Sequence, residues 1–181
     1  MKIGIFGCSA DPFTKAHLAI VTYASKRYDK IIIVPTTCDY YRRDKSPMFS
    51  FDSKVYVITK MISGLENVEI DTVERNKDAK WRTINTLEYM HERYPNDELY
   101  LIIGGDSWKN FTTWFRYEDI YMYAKLCIVP RNGEDVNIKS ETGEILTIPE
   151  DYNNLSATKV RNKLEAEMLD MYLSDLEWYN F

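Results

Sequence analysis

Two side chains suited to phosphate binding, Thr14 and His17, stand three residues apart at the predicted start of a helix. A spacing of three places both side chains on one face of that helix. The first turn of a helix presents free backbone N–H groups and the positive end of its dipole, which together stabilise an anion. The pair therefore indicates a phosphate-binding turn, although a histidine without any ligand is the commoner case among proteins.

A second polar group comes at the predicted start of the last major helix, where Ser156, Thr158 and Arg161 lie close together in sequence. Hydroxyl groups, free backbone N–H groups and a guanidinium can together hold phosphate oxygens. The same residues equally describe an ordinary helix N-terminus followed by a solvated arginine. From the residues alone both interpretations stay open.

A third candidate is Asp106, which directly follows Gly104 and Gly105 at the end of a predicted strand. Paired glycines let the backbone approach a ligand closely. A carboxylate at this point can accept hydrogen bonds from ribose hydroxyl groups.

The most basic stretch of the chain lies between the second predicted strand and the following helix, in the sequence YYRRDKSPMFSFDSK. It contains Arg42, Arg43, Lys45 and Lys54. Such a segment could cover a nucleotide triphosphate as a mobile lid; a solvated loop is the simpler alternative. A nucleic-acid interface over residues 40–45 is disfavoured by the acidic net charge.

Composition sets limits on the function classes. The 181 residues carry a formal net charge of −5 and a pI near 5.2, which argues against a protein that binds nucleic acid over its whole surface. No apolar run reaches the roughly 18 residues of a membrane span, and the N-terminal MKIGIFG is too short for a signal peptide. We therefore expect a cytoplasmic protein. Cys8, Cys38 and Cys127 lack the spacing of a zinc site or a disulfide framework, and we expect reduced, mostly buried thiols.

The elements that must position these residues alternate regularly between strand and helix. Continuous β-branched runs such as KIIIV are typical of parallel strands covered on both faces. The predicted strands are 2–7, 30–34, 68–73, 99–103 and 125–129, with a further one at 145–148. The predicted helices are 16–27, 51–62, 81–94, one or two within 108–123, and 156–168. We expect a single α/β domain over 1–181, a Rossmann-like doubly wound parallel sheet, with residues 165–181 as a helical tail.

In such a sheet, ligands bind beyond the carboxyl ends of the strands, near the point where the strand order reverses. The loop after the first strand contains neither GxGxxG nor GxxxxGK[ST], so the usual dinucleotide fingerprint and the P-loop are both excluded.

Three motifs in order resemble the nucleotidylyltransferase superfamily with its HxGH-type fold. GIFGCSADPFTKAH resembles its first signature, a glycine-rich strand end followed by (H/T)xGH. TINTLEYMHERYPNDELYLIIGGDSWKNFTTW resembles the central region of bacterial nicotinate-mononucleotide adenylyltransferases, with TxDTL, a strand ending in GxD and a downstream Trp. LSATKVR resembles the late phosphate motif ISSTxxR, so the resemblance covers most of residues 1–165.

The resemblance implies a role for each matching residue. The catalytic group would comprise His17, Thr14 and Arg161. The ATP site would include Gly7, Cys8, Ser9, Lys45, Ser156 and Thr158. The mononucleotide site would include Thr83, Asp106 and Trp114, with Trp114 stacking on a nicotinoyl ring; for a tryptophan the alternative is a place in the core.

The implied reaction transfers AMP from ATP to nicotinate mononucleotide, with Mg²⁺ bound to the phosphates and no metal site built from the chain itself. An alternative hypothesis keeps the reaction but makes nicotinamide mononucleotide or phosphopantetheine the acceptor. The chain departs from the family pattern at Ala10, Ala16, Asn85 and Ala157. The departures at Ala10, Ala16 and Ala157 motivate a second hypothesis, an inactive nucleotide-binding regulator. The partners expected are ATP and a pyridine mononucleotide, without nucleic acid or membrane. The aromatic tail could cap the core or form a homo-oligomer contact.

Overall fold

Six parallel strands form one sheet in the order β3-β2-β1-β4-β5-β6 in the computed structural model of the chain. The structure describes residues 1–37, 47–77, 80–131, 134–149 and Val160. The strands are β1 (Lys2–Cys8), β2 (Lys30–Pro35), β3 (Val68–Ile70), β4 (Glu98–Gly104), β5 (Lys125–Val129) and β6 (Gly143–Ile145). The expected doubly wound α/β sheet is confirmed.

Helices cover both faces of this sheet. They are α1 (Lys15–Ser25), α2 (Phe51–Met61), α3 (Thr83–Arg93), α4 (Gly105–Lys109) and α5 (Tyr117–Tyr123), with a 3₁₀ turn at Phe111–Thr113 between the last two. The apolar side chains of α1 and α2 pack on one face, and those of α3 and α5 pack on the other.

Side chains along the central strands point alternately to the two faces of the sheet, and for this reason two separate cores form. In β1, Ile3 and Ile5 face the α3 side, while Phe6 and Cys8 face the α1 side. The four consecutive residues 31–34 of β2 are each fully buried, which is typical of a parallel strand covered on both faces. Burial of these runs fixes the register of the sheet, because a slip of one residue would exchange its two faces.

The order of the strands reverses between β1 and β4. The chain moves outward through β2 and β3, and then returns to place β4 on the other side of β1, with Ile5 paired to Leu101. Loops leaving the carboxyl ends of β1 and β4 therefore run to opposite faces and leave a crevice between them. This crevice is the position at which a ligand is expected.

Most element boundaries differ from the predicted ones by only one or two residues, but the edge strands differ more. The predicted strand 145–148 is wrong: β6 pairs Gly143 with Leu126 and ends at Ile145. Leu146 and Ile148 are instead buried in the core, after the residues that pair with β5. Their apolar character led to the prediction of a strand at 145–148, although they do not belong to β6. The third strand is three residues long and shorter than expected.

Other expectations concern smaller features. Cys8 and Cys127 are buried and take part in no disulfide, as expected, whereas Cys38 lies outside the described residues. Val160 is helical, but the rest of the predicted helix 156–168 and the tail 165–181 are outside the described residues, so the single-domain assignment stays a prediction. Within the described part of the chain, no helix has the length and apolar character needed to cross a membrane.

Candidate active site

Thr14 and His17 meet at the amino end of α1, immediately beyond the carboxyl end of β1. Thr14 is the N-cap residue in an extended conformation, and its backbone N–H donates to Nδ1 of His17 at 2.9 Å. The Thr14 hydroxyl lies 2.9 Å from the same nitrogen. Because a backbone N–H can only donate, Nδ1 must be the accepting nitrogen, and the proton of the neutral ring is on Nε2. The ring therefore has one N–H donor, Nε2–H, for a ligand.

The surroundings of His17 keep its ring neutral. The ring stacks on Phe13, with centroids 5.2 Å apart, and contacts Phe6 at 6.1 Å. Desolvation by this burial, followed by the positive charge of Arg131, lowers the pKa of His17 from 6.5 to about 4. At neutral pH the imidazole is thus an uncharged donor whose orientation the Thr14 cap fixes.

We expect this neutral histidine to make stability fall as the pH decreases from about 6.5 to about 4. In that window the unfolded chain binds a proton on His17 and the folded chain does not, since the folded pKa is the lower one. The free energy of unfolding should fall by up to about 3 kcal/mol through this group. Urea unfolding across this pH range should show a steeper decline for the wild type than for His17→Gln. Parallel curves for the two proteins would contradict the assignment.

The loop between β1 and α1 is tied to the beginning of α2. Asp11 is buried and accepts hydrogen bonds from the backbone N–H groups of Phe49 at 2.9 Å and Met48 at 3.3 Å. The sequence analysis did not assign Asp11 to the site. In the same loop Ala10 has a positive φ of 48° and is buried, which defines the path of the chain toward Phe13. The Asp11 contacts therefore stabilise the turn that presents His17.

Of the three residues expected to line the ATP site here, Gly7 is exposed and Ser9 is partly exposed. The Cys8 side chain is buried in the core, and its carbonyl accepts from the backbone N–H of Thr36 at 2.9 Å. Gly7 has open space where a Cβ would lie. Any contact of Cys8 with a ligand would consequently come from its backbone.

Beyond the end of β4, Asp106 lies in the first turn of α4 and is largely exposed. Its Oδ2 forms an ion pair with Nη2 of Arg131, 3.2 Å away. Arg131 follows Pro130 at the carboxyl end of β5, the strand next to β4. The acidic residue predicted for the mononucleotide is thus held by a guanidinium that the sequence analysis did not select.

Helix α3 begins at Thr83, at the same edge of the sheet. Thr83 is partly exposed. Asn85 accepts from the backbone N–H of Arg82 at 3.0 Å and so caps the helix. The family pattern has Asp at this position, and the Asn85 side-chain oxygen can perform the same capping role. Close by, Trp81 donates to the Thr86 hydroxyl at 2.9 Å, which fixes the entry to the helix.

Trp114 packs against the core, and its stacking on a nicotinoyl ring stays a prediction. Its ring lies 5.5 Å from that of Phe111, and it packs against the core on the α3 face while remaining partly exposed. Trp108 makes a similar contact with Phe111 at 5.7 Å. A half-buried indole of this kind is fixed by its core contacts and keeps surface for stacking.

Several predicted site residues lie outside the described residues, namely Lys45, Ser156, Thr158 and Arg161. Their expected convergence with His17 on one triphosphate stays a prediction. Lys54 is described, and its ammonium is buried and donates to the carbonyl of Thr36 at 3.2 Å.

The structure adds Arg131 and Glu134 to the candidate site. Arg131 could have been found by applying to the fifth strand the rule used for the others, since it follows that strand directly. The sequence does not indicate a role for Glu134, because in a polar segment an acidic residue is expected to be solvent-exposed.

The chain is similar to known proteins in sequence and in fold. Residues 5–163 match the family described as Cytidylyltransferase-like. A protein of Fusobacterium nucleatum named "Probable nicotinate-nucleotide adenylyltransferase" is 32% identical over 173 residues, which span 91% of this chain and 88% of the relative. One of the same name from Aliarcobacter butzleri is 34% identical, over 74% of this chain and 73% of the relative. The solved structure of Plasmodium falciparum nicotinic acid mononucleotide adenylyltransferase complexed with NaAD superposes with a TM-score of 0.74 at 20% identity, covering 99% of this chain and 98% of the other.

Proposed function

The chain belongs to the cytidylyltransferase-like family, and from that premise we propose that it transfers AMP from ATP to nicotinate mononucleotide. The products are nicotinic acid adenine dinucleotide and pyrophosphate, and the reaction is a step of NAD biosynthesis. The relatives that carry this activity in their names match the greater part of the chain. Because both substrates are phosphorylated metabolites, we propose the cytoplasm as the place of the reaction.

The reaction needs no covalent enzyme intermediate. An oxygen of the mononucleotide phosphate attacks the α-phosphorus of ATP and forms the new P–O bond. The bond between that phosphorus and the oxygen bridging to the β-phosphate breaks, and its electron pair leaves with pyrophosphate. The protein contributes by aligning the two phosphates and by stabilising the charge that develops on the leaving oxygens.

The observation that carries this proposal is the cap formed by Thr14 and His17. It places a neutral imidazole with its proton on Nε2 at the amino end of an eleven-residue helix, beside the crevice between β1 and β4. A donor of this kind, together with the free N–H groups of α1, fits the α- and β-phosphates of ATP. Its donor proton does not depend on pH near neutrality, since the pKa of His17 is about 4.

The mononucleotide would occupy the other side of the crevice. Asp106 in the first turn of α4 would accept hydrogen bonds from ribose hydroxyl groups, and Thr83 at the start of α3 would bind the carboxylate of the nicotinoyl ring. Trp114 would stack on that ring from its partly buried position. In this arrangement each substrate is bound by a different half of the sheet.

ATP is proposed to enter as its Mg²⁺ complex. Within the ranges that the structure describes, no group of three or more His, Cys, Asp or Glu side chains gathers to hold an ion. We propose that phosphate oxygens and water supply the ligands of the ion, because Mg²⁺ usually retains much of its hydration. The ion would supply charge neutralisation on the triphosphate.

The test is a comparison of acceptors with purified protein, ATP and Mg²⁺. We expect rapid pyrophosphate release with nicotinate mononucleotide and formation of the dinucleotide, detected by chromatography. Faster release with nicotinamide mononucleotide or phosphopantetheine would change the acceptor but keep the reaction. ATP binding by calorimetry without pyrophosphate release from any acceptor would replace the enzyme with a nucleotide-binding regulator.

A further inference from the structure

Arg131 lies between the two proposed half-sites. Its guanidinium pairs with Asp106, the residue assigned to the mononucleotide, at 3.2 Å. Its positive charge also acts on His17, the residue assigned to ATP, and contributes to the lowered pKa of that imidazole. A single cation thus interacts with both sides of the crevice, where the mononucleotide phosphate and the α-phosphate of ATP must meet.

The backbone of Arg131 is held by Glu134. Oε2 of Glu134 accepts from the backbone N–H of Arg131 at 2.7 Å, and its Oε1 accepts from the ammonium of Lys109 at 2.7 Å. Burial acts to raise the pKa of Glu134, but the donors Lys109 and Arg131 outweigh it and the pKa is lowered, so the carboxylate stays ionised. These contacts connect the segment after β5 to α4.

Gly105 explains how Glu134 reaches this position. A Cβ on Gly105 would overlap the carboxylate of Glu134, while a Cβ on Gly104 would meet nothing. The absence of a side chain at Gly105 therefore leaves room for Glu134, besides allowing the backbone to approach a ligand. Two residues of the GGD sequence therefore help to position Arg131. Gly105 leaves room for Glu134, which binds the backbone of Arg131, and Asp106 forms the ion pair with its guanidinium.

The Arg131–Asp106 pair leaves the guanidinium available to a substrate. Both side chains are about half exposed or more, at 47% and 63%, so the pair itself stabilises the fold by no more than about 1 kcal/mol. A guanidinium has five N–H donors, and the ion pair joins it to one oxygen of the carboxylate. The other donors can bind phosphate oxygens while Asp106 keeps the group in place.

We propose that Arg131 is a further catalytic residue, which binds the mononucleotide phosphate and the α-phosphate of ATP together and stabilises the charge of their transition state. Glu134 acts as a positioning residue for it. The inference rests on the proposed adenylyl transfer and adds the cation that serves both substrates. A planar guanidinium suits this role because it can donate to two phosphate groups at once.

The test compares Arg131→Gln, Arg131→Lys and the wild type in steady-state pyrophosphate release. We expect Arg131→Gln to lower kcat by about 10²-fold or more, as loss of a preorganised donor does, with smaller changes in KM. Arg131→Lys should recover part of the loss, since it restores the charge without the planar fork. Arg27→Gln is the matched control: this half-exposed arginine pairs with Glu144 far from the crevice, and its loss should leave kcat unchanged. Activity of Arg131→Gln within threefold of the wild type would overturn the proposal.

A second readout separates catalysis from folding. Titration of His17 by NMR should give a higher pKa in Arg131→Gln than in the wild type, although still below 6.5 because desolvation is the larger cause. Glu134→Ala should lower kcat and Glu134→Gln should lower it less, since the amide oxygen can still accept from the backbone of Arg131. An unchanged pKa of His17 in a folded Arg131→Gln protein would contradict the placement of the guanidinium.

Failure of the proposed function would be recognised separately, by a wild type without turnover. Binding of nicotinic acid adenine dinucleotide, measured by calorimetry, then decides the role of Arg131. Affinity at least tenfold weaker in Arg131→Gln supports the shared phosphate contact, and equal affinity overturns it. A wild type that neither turns over nor binds the dinucleotide overturns both proposals.

Discussion

Replacement of His17 by alanine is expected to lower kcat/KM for pyrophosphate release by about 10³-fold, at the upper end of what the loss of one preorganised donor causes. The variant removes the Nε2–H donor that Thr14 orients, and it also removes the acceptor for the Thr14 backbone N–H. The helix remains, because its first turn keeps the hydrogen bond from Leu18 to the carbonyl of Thr14 at 3.0 Å. The variant should therefore remain folded, with its activity as the property that changes most.

The second histidine of the chain provides the control for this experiment. His91 is exposed in the last turn of α3 and contacts only the edge of Tyr123 among the ring contacts described, at 5.6 Å. His91→Ala should retain the wild-type rate. Initial rates with saturating ATP and nicotinate mononucleotide measure both variants under the same conditions. Equal rates for His17→Ala and the wild type would remove His17 from the mechanism.

The variant His17→Asn tests the tautomer that the cap imposes. A shorter amide can accept from the Thr14 N–H, but it does not extend to the position of Nε2. We therefore expect its stability near neutral pH to approach that of the wild type while its activity stays as low as that of His17→Ala. A fully active His17→Asn would contradict donation from Nε2.

The central sheet could be predicted because its signals are local. Residues 31–34 are apolar and β-branched, and Pro35 marks the end of the run, so the strand can be predicted without knowledge of its neighbours. The pairing of Thr14 with His17 was likewise visible as a spacing of three at a helix start. Elements at the sheet edges were predicted less well, since β6 is built from Gly143 to Ile145 and has little apolar pattern of its own.

The polar contacts that complete the candidate site could not be predicted, because they join residues distant in sequence. Asp11 binds Phe49, 38 residues away, and reads locally as the first residue of a turn. Asp106 pairs with Arg131 across two strand ends. Only the register of β4 and β5 brings that pair together, and no sequence pattern encodes which exposed arginine will meet which carboxylate.

The electrostatic state of His17 also depends on the fold. A histidine at a helix start is expected to titrate near 6.5 from its type alone. The lowered pKa results from burial against Phe13 and Phe6 and from the charge of Arg131, which stands 114 residues later in the chain. The sequence therefore identified His17 as a candidate phosphate ligand, but it did not show that the folded protein keeps this ring uncharged.

Replacement of Phe13 by alanine is expected to lower the free energy of unfolding by about 3–5 kcal/mol, the range for a phenylalanine removed from a packed core. Phe13 is fully buried in the cluster on the α1 face, and its ring stacks on that of His17. The loss includes the cavity left by the ring, because the turn that Asp11 fixes cannot close over it. Urea unfolding with an unchanged m value measures the effect.

Two further variants separate the stability of this turn from its part in the site. Phe115→Ala removes a ring that is 60% exposed and should change the free energy of unfolding by no more than about 0.5 kcal/mol. Phe13→Leu retains most of the volume and should cost less than about 1.5 kcal/mol, yet it removes the aromatic face on which His17 rests. We expect that variant to be folded and to show a lower kcat, because the imidazole loses a surface that fixes its orientation. A loss of less than about 1 kcal/mol in Phe13→Ala would show that the turn relaxes around the missing ring, contrary to a rigid support for His17.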